Sequence, residues 1–370
     1  MGEIVHGSGQ IICEPGTGAF SPVIPIRKDG GNLPLVSIVI PTWCEERYIA
    51  DCLHSILAQD YPVSRMEILV VDGMSPDRTR EIVKRIGTTC PQIRLLDNPE
   101  RLQAAGLNRA ISMSRGNFIL RIDAHAEYAS DYVRTCVETL RETGADNVGG
   151  PQLPKARTFF QKMVAFALHS PLGTGGAPCR SEGKDGYVDT VFPGAFRRQT
   201  LQRVGLFDPG AITNEDAEIN QRIIASGGRI YLNSAIKCFY YPRESLRGLA
   251  RQYFRYGRGR ARTVLKHGQF LRLGSFLPFA FFTGLLCLLL LGLFWTPGLW
   301  LAAAAAGMYA AGIIAEGARM AIKHQWACAF MLPLVFVTLH LSHAVGVAWG
   351  LLYYSSNPDW IHLNPPLLQQ

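Results

Sequence analysis

The feature that most constrains this chain is a run without charge. Residues 273–315 contain no Asp, Glu, Lys or Arg, and the stretch "FLPFAFFTGLLCLLLLGLFW" within it is by itself long enough to cross a bilayer. A second apolar run follows the turn "TPG". A third, over 327–352, is interrupted only by Pro333, His340 and His343. Three spans are expected, at about 275–295, 298–317 and 327–352. Buried core helices of one large soluble domain are the alternative, which the length and clustering of the runs disfavour.

Charge has a location too. The net +8 is concentrated in 247–272, where seven arginines and one lysine occur with no acid, directly before the first span. Lys and Arg hold flanking loops on the cytoplasmic side. The 295–298 turn is uncharged, the 316–324 loop carries Arg319 and Lys323, and the segment after Leu352 has neither Lys nor Arg. These signs alternate as three spans require, with the large domain cytoplasmic, the C-terminus outside and the inner (plasma) membrane as the expected location. Nucleic acid is the other usual partner of a basic stretch. One abutting a membrane span instead favours anionic lipid headgroups, each cation adding roughly 1 kcal/mol near an acidic leaflet. Leu246, Leu249, Tyr253 and Tyr256 form one helical stripe and Arg247, Arg251, Arg255 and Arg258 another, the pattern of an interfacial helix. Guanidinium groups also suit pyrophosphate.

Residues 1–33 lack a basic region followed by an apolar core, so no signal peptide is expected and they read as a flexible leader. The nine cysteines are scattered singly, which argues for a reducing cytosol and against a zinc module.

From Leu35 the chain alternates short apolar runs with amphipathic segments: "LVSIVIPT", "EERYIADCLHSILAQ", "MEILVVDG", "PDRTREIVKRIG", "IRLLDNP", "QAAGLNRAISMSR", "NFILRID". Strand–helix alternation, with strands apolar on both faces, predicts an α/β fold with a mainly parallel, Rossmann-like sheet between helices. Ligands of such sheets bind at the carboxyl ends of the strands. That rule selects Pro41-Thr42, Asp72-Gly73 and Asp123-Ala124-His125. Further on, "KARTFFQKMVAFALHS" reads as a helix, "YVDTVFPGAFRRQTLQRVG" as a strand and a helix, "NEDAEINQRIIASG" as a helix and "RIYLNSAIKCFYYP" as a strand. The long Gly- and Pro-rich loop 171–186 suggests a lid or acceptor loop.

Several of these residues carry chemistry. Asp123 and His125 at a strand end can both reach one cation; Asp offers hard oxygen, and His tilts the preference from Mg2+ toward Mn2+. A capped strand end with a solvated Asp is the plainer alternative. Asp72 can accept hydrogen bonds from a nucleobase or ribose, or merely cap the next helix. Glu45 can likewise serve a ligand or a helix dipole. Glu215 and Asp216 open a helix; one could be fixed by the scaffold while the other acts as general base, and a capping cluster would look the same. Glu316, His340 and His343 raise the further possibility of an intramembrane hydrolase, against which stands simple interhelical hydrogen bonding.

In order and at matching spacing, "VSIVIPTWCEERYIADCLHSILAQDYP", "EILVVDGMSPDRT", "GLNRAI", "GNFILRIDAHA", "VFPGAFRRQTLQRVGLFD" and "NEDAEINQRI" resemble the family 2 inverting glycosyltransferases of A-type fold. The likeness covers roughly 35–240, within an expected catalytic domain 34–242. A basic interfacial segment 243–272, membrane helices within 273–355 and a tail 356–370 would follow. The Asp-Ala-His variant, "QYFRYGRGRAR" and "HLSHAVGVAWGLLY" further resemble succinoglycan-type exopolysaccharide β-glucosyltransferases.

The resemblance implies that Pro41, Thr42, Glu45 and Asp72 hold the nucleoside and that Asp123 holds a diphosphate with bound Mn2+ or Mg2+. His125 stands where most of the family has the second Asp of its DxD motif, and Gly73 where many members have another Asp. Asp216 matches the catalytic base, beside Glu215, and Gly194 and Ala195 fall in the acceptor stretch. Gln252 and Arg255 match part of a QxxRW motif, whose Trp is replaced by Tyr256; this argues against processive synthesis. The implied activity is transfer of a hexose, glucose in the first instance, from a UDP-linked donor to a polyprenyl-diphosphate-linked saccharide. A polyprenyl phosphate acceptor and a non-catalytic nucleotide-sugar-binding scaffold are the alternatives.

Overall fold

The computed structural model describes residues 33–174, 185–211, 213–268, 273–324, 326–357 and 360. The leader apart from Leu33, most of the glycine-rich loop and the segment beyond Trp360 lie outside the described residues.

The first half alternates as the apolar runs require: β1 (Val36–Thr42), α1 (Ile49–Leu57), β2 (Met66–Asp72), α2 (Thr79–Thr89), β3 (Ile93–Asp97), α3 (Gln103–Met113) and β4 (Phe118–Arg121). Then follow β5 (Ala126–Tyr128), α4 (Tyr132–Thr143), β6 (Asn147–Gly149), β7 (Gln152–Pro154), α5 (Phe159–His169) and the short α6 (Pro171–Thr174). The catalytic-side elements end with β8 (Gly186–Tyr187), β9 (Ala195–Arg197), α7 (Arg198–Val204), α8 (Glu215–Ala225), β10 (Ile230–Leu232) and β11 (Cys238–Tyr240). Four long helices follow: α9 (Leu246–His267), α10 (Leu277–Leu291), α11 (Thr296–Lys323) and α12 (Ala327–Ser356).

The main sheet has the order β3-β2-β1-β4-β9-β6-β10-β8. β3, β2, β1 and β4 are mutually parallel, β9 is antiparallel to both neighbours, and β10 returns parallel to β6. The strands are apolar throughout because successive residues serve opposite cores. Ile38, Ile40, Ile68 and Val70 pack with α1, α2 and α4, whereas Val39, Leu69 and Val71 pack with α3, α7 and α8.

A second sheet, β5-β11-β7, lies beside the first. It explains two departures from the expected elements. "RIYLNSAIKCFYYP" is two strands, because Asn233 turns the chain: its Oδ1 accepts the Ala235 N–H at 2.8 Å. β10 therefore joins the main sheet and β11 the small one. Similarly, "YVDTVFPGAF" divides into β8 and β9, leaving Asp189–Pro193 as a loop that contains a cis Phe192–Pro193 peptide.

Helices α10, α11 and α12 give three segments long and apolar enough to cross a membrane. α11 and α12 expose Ile322 and Phe330, and the turn between α10 and α11 exposes Phe294, each at 82% or more, a surface suited to lipid rather than water. α11 runs on to Lys323, past the expected end of its span. Its polar end is paired: Glu316 accepts from Ser170 Oγ at 2.6 Å and from Arg319 at 2.7 Å.

α9 differs from a helix lying free in the interface. It packs along α12 through a seam of small residues. A Cβ on Gly257 would meet the His343 carbonyl oxygen at 2.2 Å, and one on Gly346 the Phe254 carbonyl oxygen at 2.1 Å. Only glycine allows such backbone approach. Of the expected apolar stripe, Leu249 is buried, while Arg247, Arg251 and Arg255 remain exposed.

Candidate active site

The carboxyl ends of β1 and β4 open onto one cleft of about 1720 Å³. Pro41, Thr42, Glu45, Asp123, His125, Glu215, Asp216, Gln252 and Arg255 all line it. The fold thus brings together most of the residues singled out in the sequence.

At its centre is Arg121, the last residue of β4 and only 3% exposed. Its guanidinium contacts three carboxylates: Glu215 at 2.9 Å, Asp123 at 3.4 Å, and Asp216 through a very close Nη1–Oδ1 contact. The Phe192 ring covers it at 4.9 Å. One cation cannot neutralise three buried anions. Burial accordingly raises Asp216 to about 7, with Arg121 pulling the other way and Glu215 and Asp123 adding to the rise. Arg121 was not among the residues selected from the sequence. The available signal was an arginine inside an apolar strand, since a buried guanidinium requires anionic partners.

Asp216 reaches this point because α8 starts there. Asn214 precedes the helix at φ 63°, a left-handed conformation that Asn tolerates. Its Nδ2 donates to the Tyr256 carbonyl at 2.9 Å, and Thr213 Oγ1 donates to the Arg255 carbonyl at 2.8 Å. The start of α8 is therefore fastened to the middle of α9. Gln252 Nε2 donates to Tyr256 Oη at 2.9 Å.

Asp123 keeps 13% of its side chain exposed toward the cleft. His125 Nδ1 lies 3.2 Å from Glu45 Oε1, which leaves the other ring nitrogen for a ligand. Burial opposes the charged imidazole, but Glu45 and Asp123 prevail and raise the His125 pKa. Among the described residues no group of three or more His, Cys, Asp and Glu could hold a metal alone. Asp123 and His125 would offer one oxygen and one nitrogen to a divalent ion, with Glu45 orienting the imidazole.

Other selected residues lie elsewhere. Asp72 is fully buried, and its carboxylate is taken up by Ser75 N at 2.8 Å, Ser75 Oγ at 2.6 Å, Arg80 at 2.9 Å and Thr42 at 3.3 Å. It shapes the loop behind the cleft, while Gly73 and Thr42 form the surface. Gly194 and Ala195 are packed into the sheet, where a Cβ on Gly194 would meet the Phe196 ring at 2.6 Å. Asp189, Thr190, Val191 and Phe192, just before them, reach the cleft instead. His340 bridges Tyr309 Oη and the Leu172 carbonyl oxygen, each at 2.9 Å. Glu316 is likewise paired, with Ser170 and Arg319, so both groups hold helices together.

The site is thus an acidic pocket at the carboxyl ends of parallel strands, facing a helix of arginines and three membrane-length helices, the arrangement of a membrane-associated α/β protein with a ligand cleft. The chain belongs to glycosyl transferase family 2, whose family model matches residues 37–200. The succinoglycan biosynthesis protein ExoA of Rhizobium meliloti (strain 1021) is 33% identical over 315 residues, covering 84% of this chain and 92% of ExoA. A dolichyl N-acetyl-alpha-D-glucosaminyl phosphate 3-beta-D-2,3-diacetamido-2,3-dideoxy-beta-D-glucuronosyltransferase of Methanococcus voltae is 29% identical, covering 86% of this chain and 97% of that one. Among solved structures, the mannosyltransferase PcManGT from Pyrobaculum calidifontis, in complex with GDP-Man and Mn2+, shares the fold. Its TM-score is 0.58 at 22% identity, over 88% of this chain and 90% of that one. The protein is a glycosyltransferase.

Proposed function

We propose that this enzyme transfers a hexose, with inversion, from a nucleotide donor to a hydroxyl of a polyprenyl-diphosphate-linked saccharide in exopolysaccharide or other cell-surface glycan synthesis. UDP-glucose is the donor to test first. The observation that carries this reading is the continuity of the cleft, from Thr42 and Asp123 past Asp216 to the α9 arginines and on to Phe281 and Tyr309 of the membrane helices. The relatives favour it as well: one is named for succinoglycan biosynthesis, and another for transfer to a lipid-linked sugar. The Lys and Arg distribution favours a cytoplasmic catalytic domain at the inner membrane, with the C-terminus outside.

In this reading Pro41, Thr42 and Glu45 line the nucleoside end, and Asp72 acts indirectly by fixing the loop that Gly73 presents. Asp123 and His125 hold the donor diphosphate with a divalent cation, Mn2+ or Mg2+. When bound, that ion supplies Lewis-acid neutralisation of the charge on the departing nucleoside diphosphate. Asp216 takes the proton from the acceptor hydroxyl as it attacks the anomeric carbon opposite the leaving group. Arg121 positions Asp216 and Glu215 and, through Asp123, ties the base to the diphosphate end. A hydroxyl acceptor is favoured over a polyprenyl phosphate because a phosphate is already anionic and needs no base.

The test uses the full chain in detergent or nanodiscs, with radiolabelled nucleotide hexoses and lipid-linked saccharide, with and without Mn2+ or Mg2+. Asp216→Asn should abolish transfer and keep UDP binding. Undiminished transfer by that variant would remove Asp216 as the base.

A further inference from the structure

α12 contains no Asp, Glu, Lys or Arg, and by length and composition it is as able to cross a bilayer as α10 and α11. Its packing points elsewhere. At 3.6 residues per turn, Leu332, Val335 and Leu339 share one face with Gly346, Gly350 and Tyr354. The first three belong to the cluster built with α5. The two glycines meet α9: a Cβ on Gly350 would lie 2.8 Å from the Ala261 Cβ and 2.9 Å from the Arg258 carbonyl oxygen. Phe254 approaches Gly346 and Ala261 approaches Gly350, so α9 and α12 run parallel. Beyond the helix, Trp360 Nε1 donates to the Tyr354 carbonyl at 2.7 Å. Its ring lies 5.0 Å from Arg262, which donates to the fully buried Asp208 at 2.7 Å.

The catalytic half therefore covers one face of α12 from Leu332 to Tyr354, about 33 Å of helix, against a hydrocarbon core of roughly 30 Å. The opposite face is bare: Phe330, Leu334, Leu341, Val345, Trp349 and Leu352 are each at least 43% exposed. If this length crossed the membrane, α9 would enter hydrocarbon beside it. α9 would carry in six arginines and Lys266, with Asp208 and Glu218 bound to them, and charged side chains are costly at that depth.

We propose that α12 lies in the plane of the membrane, its bare face in the boundary between headgroups and acyl chains, and that only α10 and α11 cross. The bilayer is the occupant of that face because the face is apolar along its whole length and adjoins the α10–α11 hairpin. Both ends of the hairpin return to the catalytic side, where Glu316 of α11 accepts from Ser170 at 2.6 Å. The C-terminus lies on that side too. The Lys and Arg count, which leaves it outside, presumes that every apolar run crosses. Leu339, His340 and His343 of α12 line the cleft, so this placement sets the cleft at headgroup depth. The inference holds whatever sugar and acceptor the enzyme uses.

Full-length chains with a C-terminal reporter, expressed in a bacterial inner membrane, test the side. Green fluorescent protein, which matures only in the cytoplasm, should fluoresce; alkaline phosphatase, active only outside, should stay inactive. The reverse pair would overturn the proposal. In intact cells Phe294→Cys should react with a membrane-impermeant maleimide and the unmodified chain should not; an unreactive Phe294→Cys would remove the crossing by α10 and α11. Depth is read in liposomes from spin labels on Leu341→Cys, Val345→Cys, Trp349→Cys and Leu352→Cys. Cys13→Ser, Cys44→Ser, Cys179→Ser and Cys287→Ser clear the background, and retained UDP affinity reports folding. A helix in the membrane plane should give the four labels one common depth. A spread approaching about 16 Å, the rise over eleven residues, would show that α12 crosses and would sink the proposal.

Discussion

Arg121 carries the electrostatics of the site. Its single charge faces Asp123, Glu215 and Asp216, whose side chains are at most 15% exposed, so one of the carboxyls must hold its proton unusually tightly. With Asp216 raised to about 7, and with the deprotonated form acting as the base, kcat/KM should rise as pH increases through about 7 and level off above it. A pH–rate profile over the weakly acidic to weakly alkaline range checks this; a flat profile would contradict it. Arg121→Gln removes the group that pulls Asp216 down, so the rising limb should move to higher pH. Stripping a buried charge cluster of its partner should also cost about 3–5 kcal/mol of stability, read as a lower thermal midpoint. Much of this residue-scale picture was legible in "RIDAH" and "NED", because strand ends and helix starts place polar groups where ligands bind. What was not legible was the pairing, since nothing local links Arg121 to α8. Asp72 shows the reverse: its position after a strand is the expected one, yet Ser75 and Arg80, its near neighbours in sequence, occupy its carboxylate.

At the scale of elements, α9 holds α8, which carries Asp216, in place. Glu218 accepts from Lys266 at 2.8 Å and from Arg222 at 2.7 Å, and Asp208 accepts from Arg262 at 2.7 Å and Lys266 at 2.8 Å. Burial disfavours both carboxylates, but hydrogen bonds from His267 and Arg222 lower Glu218 from its ordinary 4.5, with Lys266 adding to the effect, and those from Arg262 and Lys266 lower Asp208 from its ordinary 3.8. A carboxylate with a depressed folded pKa stabilises the fold above its unfolded value, and that stability disappears as pH falls toward the folded one. The thermal midpoint should therefore hold near neutrality and drop below about pH 4.5, and Glu218→Gln should flatten the drop while lowering the neutral plateau. The glycine seam makes a second prediction. Gly346→Ala drives a methyl into the Phe254 carbonyl and should cost about 1–3 kcal/mol. Gly284→Ala, with nothing within 4 Å of the new carbon, should be neutral in the same melt. The seam escaped the sequence reading because small residues do not announce which helix they face, whereas the arginines of α9 announced a surface.

For the whole molecule, the strand–helix alternation and the three apolar runs were legible because each reflects burial of an entire face, in protein or in lipid. How the two halves join was not, since it depends on α5, whose apolar face looks like that of any core helix. Met163, Val164, Ala167 and Leu168 of α5 pack against Leu332, Val335 and Phe336 of α12, and Leu249 of α9 belongs to the same cluster. Gln161 also donates to the Pro242 carbonyl at 2.8 Å, fastening α5 to the chain just before α9. The catalytic half is consequently not a separable globule. Cutting after residue 242 would uncover the apolar face of α5, and would leave Asp208 and Glu218, whose side chains are at most 1% exposed, without Lys266 and Arg262. Exposed apolar patches associate, and buried carboxylates without partners destabilise the fold that contains them. The fragment 33–242 should accordingly elute as aggregates and bind a hydrophobic dye, while the full chain in detergent elutes as a single species. A monomeric fragment that melts cooperatively at the midpoint of the full chain would show instead that the membrane helices merely anchor the enzyme. The α5–α12 contact would then be dispensable, and the cleft would have to be complete without the helices that form its apolar end.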